Sequence, residues 1–313
     1  MTRGQHPTSP DADATAPRRL LVAINPYASF GRNRHVGPIL VERLERAGYE
    51  VAMLREENFE LLRREVVSAV EQRPDALIVV GGDGMVSLAV NVLAGTGIPL
   101  GFVPAGTGND FARGLGLPHD DPAAASDALL AALGRPPRTV DAALARNEAG
   151  ETWYASVLSA GFDAVVNERA NRMSRPRGAS RYTIALVREL LTFRPRPYTL
   201  VIDGVRREFR GMLVSIANNG YIGGGMRIVH EARLDDGLLD VFIVHPLSKL
   251  GLIRVFPKVF SGTHTDHPAV EFLRARSVRL EGGGGVAAYA DGERVGPLPV
   301  DVACVPGALR VFA

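Results

Sequence analysis

The sequence has few of the residues that mark secreted, zinc-binding or membrane-spanning proteins. It contains a single cysteine, Cys304, so no intramolecular disulfide can form and a reducing cytoplasm is the expected compartment. No stretch approaches the ~20 apolar residues that span a bilayer. The histidines lack zinc spacing. Residues 1–18 have no apolar core of a secretory signal and are expected to form a disordered tail.

The chain also lacks a large excess of positive or negative charge. The chain has 36 Lys and Arg against 34 Asp and Glu, a formal net charge of +2. Bulk charge therefore argues neither for nor against a nucleic-acid partner. The sequence shows no other sign of a nucleic-acid partner, and we expect no such partner. The 313 residues are enough for two domains with their own cores.

Several nucleotide-binding motifs are absent, and each absence excludes a class of protein. The chain has no G-x-x-x-x-G-K-[ST], which excludes the P-loop proteins. No G-x-G-x-x-G opens the first helix, which disfavours the usual dinucleotide fold. The H-R-D and D-F-G motifs of protein kinases are missing as well.

Apolar strands alternate with helical segments in the first half of the chain. This pattern predicts a doubly wound α/β domain with a mostly parallel sheet over residues 19–143. The predicted strands are Leu20–Ile24, Tyr49–Leu54, Ala76–Val80 and Pro99–Val103, and the predicted helices are Val36–Ala47, Phe59–Gln72 and Met85–Ala94.

Short strand-like runs separated by turn residues follow after residue 143. They predict a mostly antiparallel, β-rich domain over residues 144–313, whose last strand, Leu309–Phe312, could instead return to the first domain. Two helical segments, Arg181–Phe193 and Leu247–Ser261, interrupt it. The other predicted strands are Trp153–Ser159, Tyr198–Ile202, Phe209–Ile216, Leu239–Val244, Val278–Leu280, Val286–Ala290 and Val300–Val305.

Three turn-rich loops follow strands of the first domain. They are residues 25–31 (NPYASFG), 81–84 (GGDG) and 104–110 (PAGTGND). Ligands of open α/β sheets bind at the carboxyl ends of the strands, so we expect the loops to meet at one edge. Glycine lets a backbone approach closely, and the N–H groups and dipole of the helix after GGDG would face a bound phosphate.

Polar residues accompany these glycines. Thr107 and Asn109 can hydrogen-bond phosphate or ribose oxygens. Asp110 can cap the helix that begins at Phe111, and capping alone would explain it. Asn25-Pro26 is a weak signal by itself and gains meaning from its place at the same sheet edge.

Two acidic turns lie in the second half, RLDDGLLD at 233–240 and DGE at 291–293. Phosphoryl transfer needs a metal ion to neutralise phosphate charge and a carboxylate to accept the hydroxyl proton. The two turns can meet these needs, although D-D-G and D-G-E are also common hairpin turns.

Taken together, these motifs and their order resemble the bacterial soluble diacylglycerol and lipid kinases, relatives of the sphingosine and ceramide kinases. The markers are Asn25-Pro26 with Gly31, GGDG, PAGTGNDFAR, LDDGLLD and DGE, and the resemblance covers residues 19–313. It implies an NAD kinase-like nucleotide-binding domain, a β-rich lipid-substrate domain and an active site in the cleft between them. It also implies ATP as phosphate donor and Mg²⁺ as metal ion.

The resemblance implies roles for individual residues. Asp236 would hold Mg²⁺, with the main-chain carbonyls of Arg233 and Leu238 as companions. Glu293 would be the general base, with Asp291 as the close alternative. The residues implied to contact the nucleotide are Asn25, Pro26, Ser29, Gly81, Gly82, Asp83, Gly84, Met85, Val86, Ser87, Gly106, Thr107, Asn109 and Asp110.

One departure from the family pattern concerns nucleotide binding. Met85 stands where the family usually has threonine, so a hydroxyl that would meet phosphate is missing, although Ser87 could replace it. The expected function is transfer of the γ-phosphate of ATP to a lipid hydroxyl, with diacylglycerol as first choice. An NAD kinase-like enzyme, a non-catalytic lipid- or nucleotide-binding regulator and a phosphofructokinase-like sugar kinase are the alternatives.

A lipid substrate implies transient contact with the inner face of the membrane. Five arginines lie close together between 169 and 181, and apolar residues alternate with basic ones over Leu247–Ser261. Both segments could bind an anionic surface, while a solvated loop and a core-packed helix are the plain alternatives. A homodimer is compatible with the sequence, which does not decide the oligomeric state.

Overall fold

A computed structural model describes residues 19–26, 33–161, 194–251, 254–255, 258, 262–282, 285 and 287–313. The predicted tail, Ser29, Gly31, the arginine cluster and the predicted helix Arg181–Phe193 lie outside these residues, as does part of Leu247–Ser261. No helix of the described residues is long and apolar enough to cross a membrane.

Strands and helices alternate through the first half, as the sequence predicts. Asn58 and Asp121 accept hydrogen bonds from the first-turn N–H groups of the helices they precede, which fixes where those helices start. The elements are β1 (Arg19–Ile24), α1 (Val36–Arg46), β2 (Glu50–Arg55), α2 (Phe59–Glu71), β3 (Ala76–Gly81), α3 (Asp83–Leu93), β4 (Leu100–Pro104), α4 (Asp110–Leu115) and α5 (Pro122–Leu133).

The strands of this half form a parallel sheet in the order β2-β1-β3-β4 with helices on both faces. Alternate side chains of each buried strand enter different cores. Ile78 and Val80 of β3 pack with residues of α1 and α5, whereas Leu77 and Val79 pack with residues of α2 and α3. Burial on both faces explains why these strands are apolar throughout.

The described part of the second half is mostly β-structure. Its strands have two to seven residues, except for the first, with 10 residues, and the last, with 13. They are β5 (Arg138–Asn147), β6 (Gly150–Tyr154), β7 (Val157–Gly161), β8 (Arg196–Ile202), β9 (Val205–Gly211), β10 (Leu213–Ala217), β11 (Tyr221–Ile222), β12 (Met226–Arg227), β13 (Leu239–Val244), β14 (Val270–Ala275), β15 (Ser277–Gly282), β16 (Ala287–Ala290), β17 (Glu293–Pro297) and β18 (Val300–Phe312).

Strand β18 joins the two halves. Val311 and Phe312 pair in parallel with β4, while the rest of the strand pairs antiparallel with β5 and β15. The first sheet thereby continues as β4-β18-β15-β8-β9. A second antiparallel sheet, β14-β13-β10-β7-β16-β17, packs on this extension around a core that includes Leu200, Leu280 and Ile216.

Several boundaries differ from the predicted ones. The predicted strands Val300–Val305 and Leu309–Phe312 form one strand, β18. The predicted strand Trp153–Ser159 is two strands, because the N–H groups of Ala155 and Ser156 donate to a carboxylate instead of a neighbouring strand. The predicted strand Phe209–Ile216 is also two, and its parts enter different sheets. Residue 143 lies within β5, which the sequence did not reveal.

Candidate active site

The start of the first predicted loop, Asn25 and Pro26, meets the other two predicted loops at the carboxyl edge of the parallel sheet. The Asn25 N–H donates to the Val80 carbonyl (3.1 Å), and the Ala105 N–H donates to the Gly81 carbonyl (2.7 Å). Asn33, beyond the first loop, also donates to the Ala105 carbonyl (2.9 Å). The described residues of these loops therefore share one edge of the sheet, as predicted.

Two glycines allow the loops to touch. A Cβ atom on Gly106 would lie 2.3 Å from the Cα of Gly82, and one on Gly108 would lie 2.5 Å from Oδ2 of Asp83. The backbone of Gly82 cannot yield as a flexible side-chain end can, and the Asp83 carboxylate is held by the Asp110 N–H. The glycines at 106 and 108 are therefore needed for GGDG and GTGND to pack together.

The helix after GGDG begins at Asp83, two residues before the predicted start. Asp83 and Gly84 open its first turn, which directs their N–H groups and the helix dipole toward the loop. The side chains of Met85, Val86 and Ser87 are buried. These three residues can therefore face a nucleotide only through their main chain.

The GTGND loop presents Thr107 to solvent and turns Asn109 inward. Asn109 is buried in the left-handed conformation, with φ of 55°. Its Oδ1 accepts from the Gly106 N–H (3.1 Å), and its Nδ2 donates to the His119 carbonyl (2.7 Å). In this structure the Asn109 side chain braces the loop.

The Asp83 carboxylate contacts the main chain of Asp110 at the loop junction. The Asp110 N–H donates to Oδ1 of Asp83 (2.7 Å). The Asp110 carboxylate accepts from the N–H groups of Gly224 (2.9 Å) and Gly225 (2.7 Å), in the turn between β11 and β12. A residue of the first domain is thus held by the turn between β11 and β12 of the second domain.

A third carboxylate, Asp291, comes from the DGE turn between β16 and β17. It accepts from the N–H groups of Ala155 (2.9 Å), Ser156 (3.1 Å) and Val157 (2.9 Å). Asp291 and Gly292 both have positive φ, as a tight hairpin turn requires. Asp291 therefore anchors the DGE turn to the bend between β6 and β7.

Burial and mutual repulsion shift the protonation of these acids. Burial, and then the charge of Asp110, raises the pKa of Asp83 to about 7. Burial also raises the pKa of Asp291 to about 6, although the three N–H donors oppose it. Burial raises the pKa of Asp110, against the Gly224 and Gly225 N–H groups. The cluster can therefore exchange a proton near neutral pH.

Glu293 differs from Asp291 in its exposure and in its side-chain contacts. It lies exposed at the start of β17, and its side chain makes no hydrogen bond or ion pair within the described part of the chain. Its carboxylate oxygens are therefore accessible to a substrate hydroxyl, whereas those of Asp291 are occupied by main-chain donors.

The turn predicted to hold Mg²⁺ has a cationic partner of its own. Oδ1 of Asp236 accepts from the Leu238 N–H (3.1 Å), and Oδ2 is paired with Arg274. Arg274 also approaches Asp240 (3.4 Å), whose pKa burial raises to about 6. Carboxylate and carbonyl oxygens suit Mg²⁺. No cluster of three or more metal-binding side chains occurs among the described residues.

The sequence reasoning missed the segment that connects the acids. Asn218 donates to the carbonyls of Asp141 (3.1 Å) and Ala155 (3.0 Å), and Asn219 donates to the Asp110 carbonyl (3.0 Å). The run ANNGYIGGGM at 217–226 carries the signal, since paired asparagines and three successive glycines are unusual between strands.

Comparison with known proteins agrees with this architecture. Residues 19–145 match the diacylglycerol kinase catalytic domain, and residues 156–313 match the YegS C-terminal NAD kinase beta sandwich-like domain. A crystal structure of a diacylglycerol kinase from Bacillus anthracis superposes with a TM-score of 0.73 at 22% identity, covering 95% of this chain and 97% of that one.

Curated relatives match over nearly the whole chain. The diacylglycerol kinase of Mycobacterium tuberculosis is 39% identical over 290 residues, which are 92% of this chain and 93% of that protein. The diacylglycerol kinase of Bacillus subtilis is 25% identical over 288 residues, 90% and 92% of the two chains. The chain therefore belongs to the diacylglycerol kinase family, and it is an ATP-dependent lipid kinase that transfers phosphate to an alcohol group.

Proposed function

We propose that this kinase phosphorylates the free hydroxyl of diacylglycerol and so produces phosphatidic acid. The observation that carries the proposal is the cluster of Asp83, Asp110 and Asp291, which brings acids of both domains beside the glycine loops. The names of the relatives support diacylglycerol as the lipid. In-line transfer needs no covalent nucleophile of the protein, so positioning and charge carry the chemistry.

The glycine loops are the proposed site of the ATP phosphates. The N-terminus of α3 offers main-chain N–H groups at Asp83 and Gly84 and the positive end of a helix dipole. The close contact of Gly82 with Gly106 leaves a surface of backbone without side chains, and exposed Thr107 can add a hydroxyl. Asn25 and Pro26 border the same edge, where they would line the nucleotide.

Glu293 is the proposed general base, and Asp291 its anchor. A base needs an accessible oxygen within reach of the hydroxyl proton. Glu293 is exposed and Asp291 is occupied by three N–H donors. By fixing the turn, Asp291 would hold Glu293 at the mouth of the cleft, two residues further along the chain.

Mg²⁺ is proposed to be required in two ways. Bound with ATP, it neutralises phosphate charge, since Mg²⁺ usually takes one or two carboxylates together with phosphate oxygens and water. Asp236, with the main-chain carbonyls of Arg233 and Leu238, is the proposed second site. A cation there would neutralise the carboxylate charge that Arg274 neutralises in this structure, and it would stabilise the turn.

Leu250 and the basic residues Lys249 and Arg254, from the predicted helix Leu247–Ser261, are proposed to touch the membrane. Leu250 is 67% exposed, with Lys249 and Arg254 exposed nearby, while Val255 is buried and anchors the segment. Apolar and basic side chains together suit an anionic lipid surface. A Cβ atom on Gly262, just beyond these residues, would lie 3.5 Å from Nδ1 of His230 and 3.9 Å from Cδ of Arg227, which follows the turn that holds Asp110. Lipid contact here would lie near the site.

Vesicle sedimentation tests the membrane proposal. We expect Leu250→Ser to pellet less with phosphatidylserine-containing vesicles than the wild type does. Val205→Ser is the matched control, because Val205 is also exposed but lies at the β9 edge of the first sheet. Equal pelleting of the two variants would refute the proposed contact. The homodimer stays a prediction that light scattering can test.

The substrate assay is Mg²⁺-dependent transfer of labelled γ-phosphate from ATP in mixed micelles. We expect label in phosphatidic acid when diacylglycerol is present, and none with NAD. Label in a different lipid would keep the kinase activity and refute diacylglycerol as the substrate. Transfer of label to NAD would instead indicate an NAD kinase-like enzyme.

A further inference from the structure

We propose that Asn219 is a positioning residue, which sets the distance between the Asp110 side of the cleft and the turn that carries Asp291. The inference rests on the proposed role of the carboxylate cluster and extends it to a residue that contacts neither phosphate nor lipid in our account. Asn219 lies between β10 and β11, in the second domain.

The Asn219 side chain joins two segments that otherwise belong to different parts of the fold. Nδ2 donates to the Asp110 carbonyl in α4 (3.0 Å) and lies 3.4 Å from the Ser156 hydroxyl in the bend after β6. Its main-chain N–H donates to the Ser156 carbonyl (3.2 Å). One amide therefore connects the first domain to the bend between β6 and β7.

Both segments are directly coupled to the acids. Ser156 donates its N–H to the Asp291 carboxylate, while Asp110 donates its own to Asp83. The chain after Asn219 then supplies the N–H groups of Gly224 and Gly225 to the Asp110 carboxylate. The carbonyl and the carboxylate of Asp110 thus both accept hydrogen bonds from the same seven-residue segment, 219–225.

Burial makes this arrangement sensitive to small changes. Asn219 is only 2% exposed, and a Cβ atom on Gly114 would lie 2.2 Å from its Oδ1. The amide therefore has little room to rotate. Asn219→Asp keeps the shape but cannot donate from its side chain when ionised, and it brings another negative charge toward Asp110. Such a change should shift the acids relative to the glycine loops.

Steady-state kinetics of Asn219→Asp test the proposal, using whichever lipid the wild type phosphorylates. We expect kcat to fall about 100-fold with KM for ATP nearly unchanged, as a displacement of about 1 Å can cost that much. The acidic limb of the kcat/KM profile should also move to higher pH, because the added negative charge lies beside Ser156, which holds the turn that carries the proposed base, Glu293.

Asn91→Asp is the matched control. Asn91 also joins the two halves, since it donates to the carbonyls of Ser87 and Trp153 (both 2.9 Å) and accepts from the Trp153 N–H (2.9 Å). It contacts none of the three acids. We expect this control to keep the wild-type kcat and pH profile, even if its melting temperature falls.

The proposal is refuted if Asn219→Asp, shown to be folded, matches Asn91→Asp in kcat and pH profile. Asn219→Ser carries the same test if Asn219→Asp does not fold, because its short hydroxyl cannot bridge both partners. If neither variant folds, Asn219 is a structural residue and the proposal also fails. A wild type that phosphorylates a lipid other than diacylglycerol refutes only the proposed substrate.

Discussion

Replacing Asp291 with asparagine should destabilise the protein, because this carboxylate holds the DGE turn in place. Its two oxygens accept from the N–H groups of Ala155, Ser156 and Val157 at 2.9–3.2 Å. An asparagine offers one accepting oxygen only. That oxygen can still accept from two of the three N–H groups. The amide nitrogen of the asparagine would face the third N–H group, and because both are donors no hydrogen bond could form between them.

The size of the effect follows from these contacts. A hydrogen bond to a charged group contributes about 1.5–3 kcal/mol, and a buried donor left unpaired costs about 1–3 kcal/mol. Removing a carboxylate whose pKa burial has raised to about 6 offsets part of that loss. We therefore expect the free energy of unfolding to fall by about 2 kcal/mol, or the melting temperature by about 4 °C.

The assay is thermal unfolding at pH 8, where the wild-type Asp291 is ionised. Glu293→Gln is the matched control, since Glu293 lies in the same turn but is exposed. Its free energy of unfolding should change by less than about 0.5 kcal/mol. Equal melting temperatures for Asp291→Asn and Glu293→Gln would show that the turn does not depend on the Asp291 carboxylate. The proposed role of Asp291 as the anchor that positions Glu293 would then be refuted.

Three further predictions concern the loops, the DDG turn and pH. Gly106→Ala should abolish the rise in melting temperature that ATP produces, because its Cβ would lie 2.3 Å from the Cα of Gly82. An undiminished rise would contradict the glycine loops as the site of the ATP phosphates. Arg274→Met should increase the rise in melting temperature that Mg²⁺ produces, since Asp236 would lose its cationic partner; an equal rise in the wild type would argue against a metal site there. Burial raises the pKa of Asp83 from 3.8 to about 7, so its protonated form stabilises the fold at low pH and this stability is lost as pH rises through 7. Asp83→Asn should flatten that part of the stability profile between pH 4 and 7, and an unchanged slope would contradict the shift.

Much of the first domain could be predicted from sequence because its strands are buried on both faces. Burial leaves continuous apolar runs such as ALIVV at 76–80, and the parallel arrangement places their following loops at one edge. The meeting of GGDG with PAGTGND follows from those two facts. The start of α3 was placed two residues late, since the pattern of apolar residues begins at Met85 while the helix already includes Asp83.

The second domain was less predictable because its organisation depends on long-range contacts. The break at Ala155-Ser156 is set by Asp291, more than 130 residues away, so no local pattern marks it. Likewise, β5 is recognisable only as the partner of β18. The different environments of Asp291 and Glu293 depend on the same distant N–H groups, which is why the sequence alone left both as candidates for the base.

Turnover of Glu293→Gln beside the wild type is the most direct test of the account. The measurement is formation of labelled phosphatidic acid from ATP and diacylglycerol under saturating substrate, with melting temperature recorded for both proteins. We predict a loss of about 10²–10⁴-fold, the usual contribution of a general base, with unchanged melting temperature. Full turnover by the folded variant would contradict Glu293 as the base and leave Asp291 as the candidate for that role.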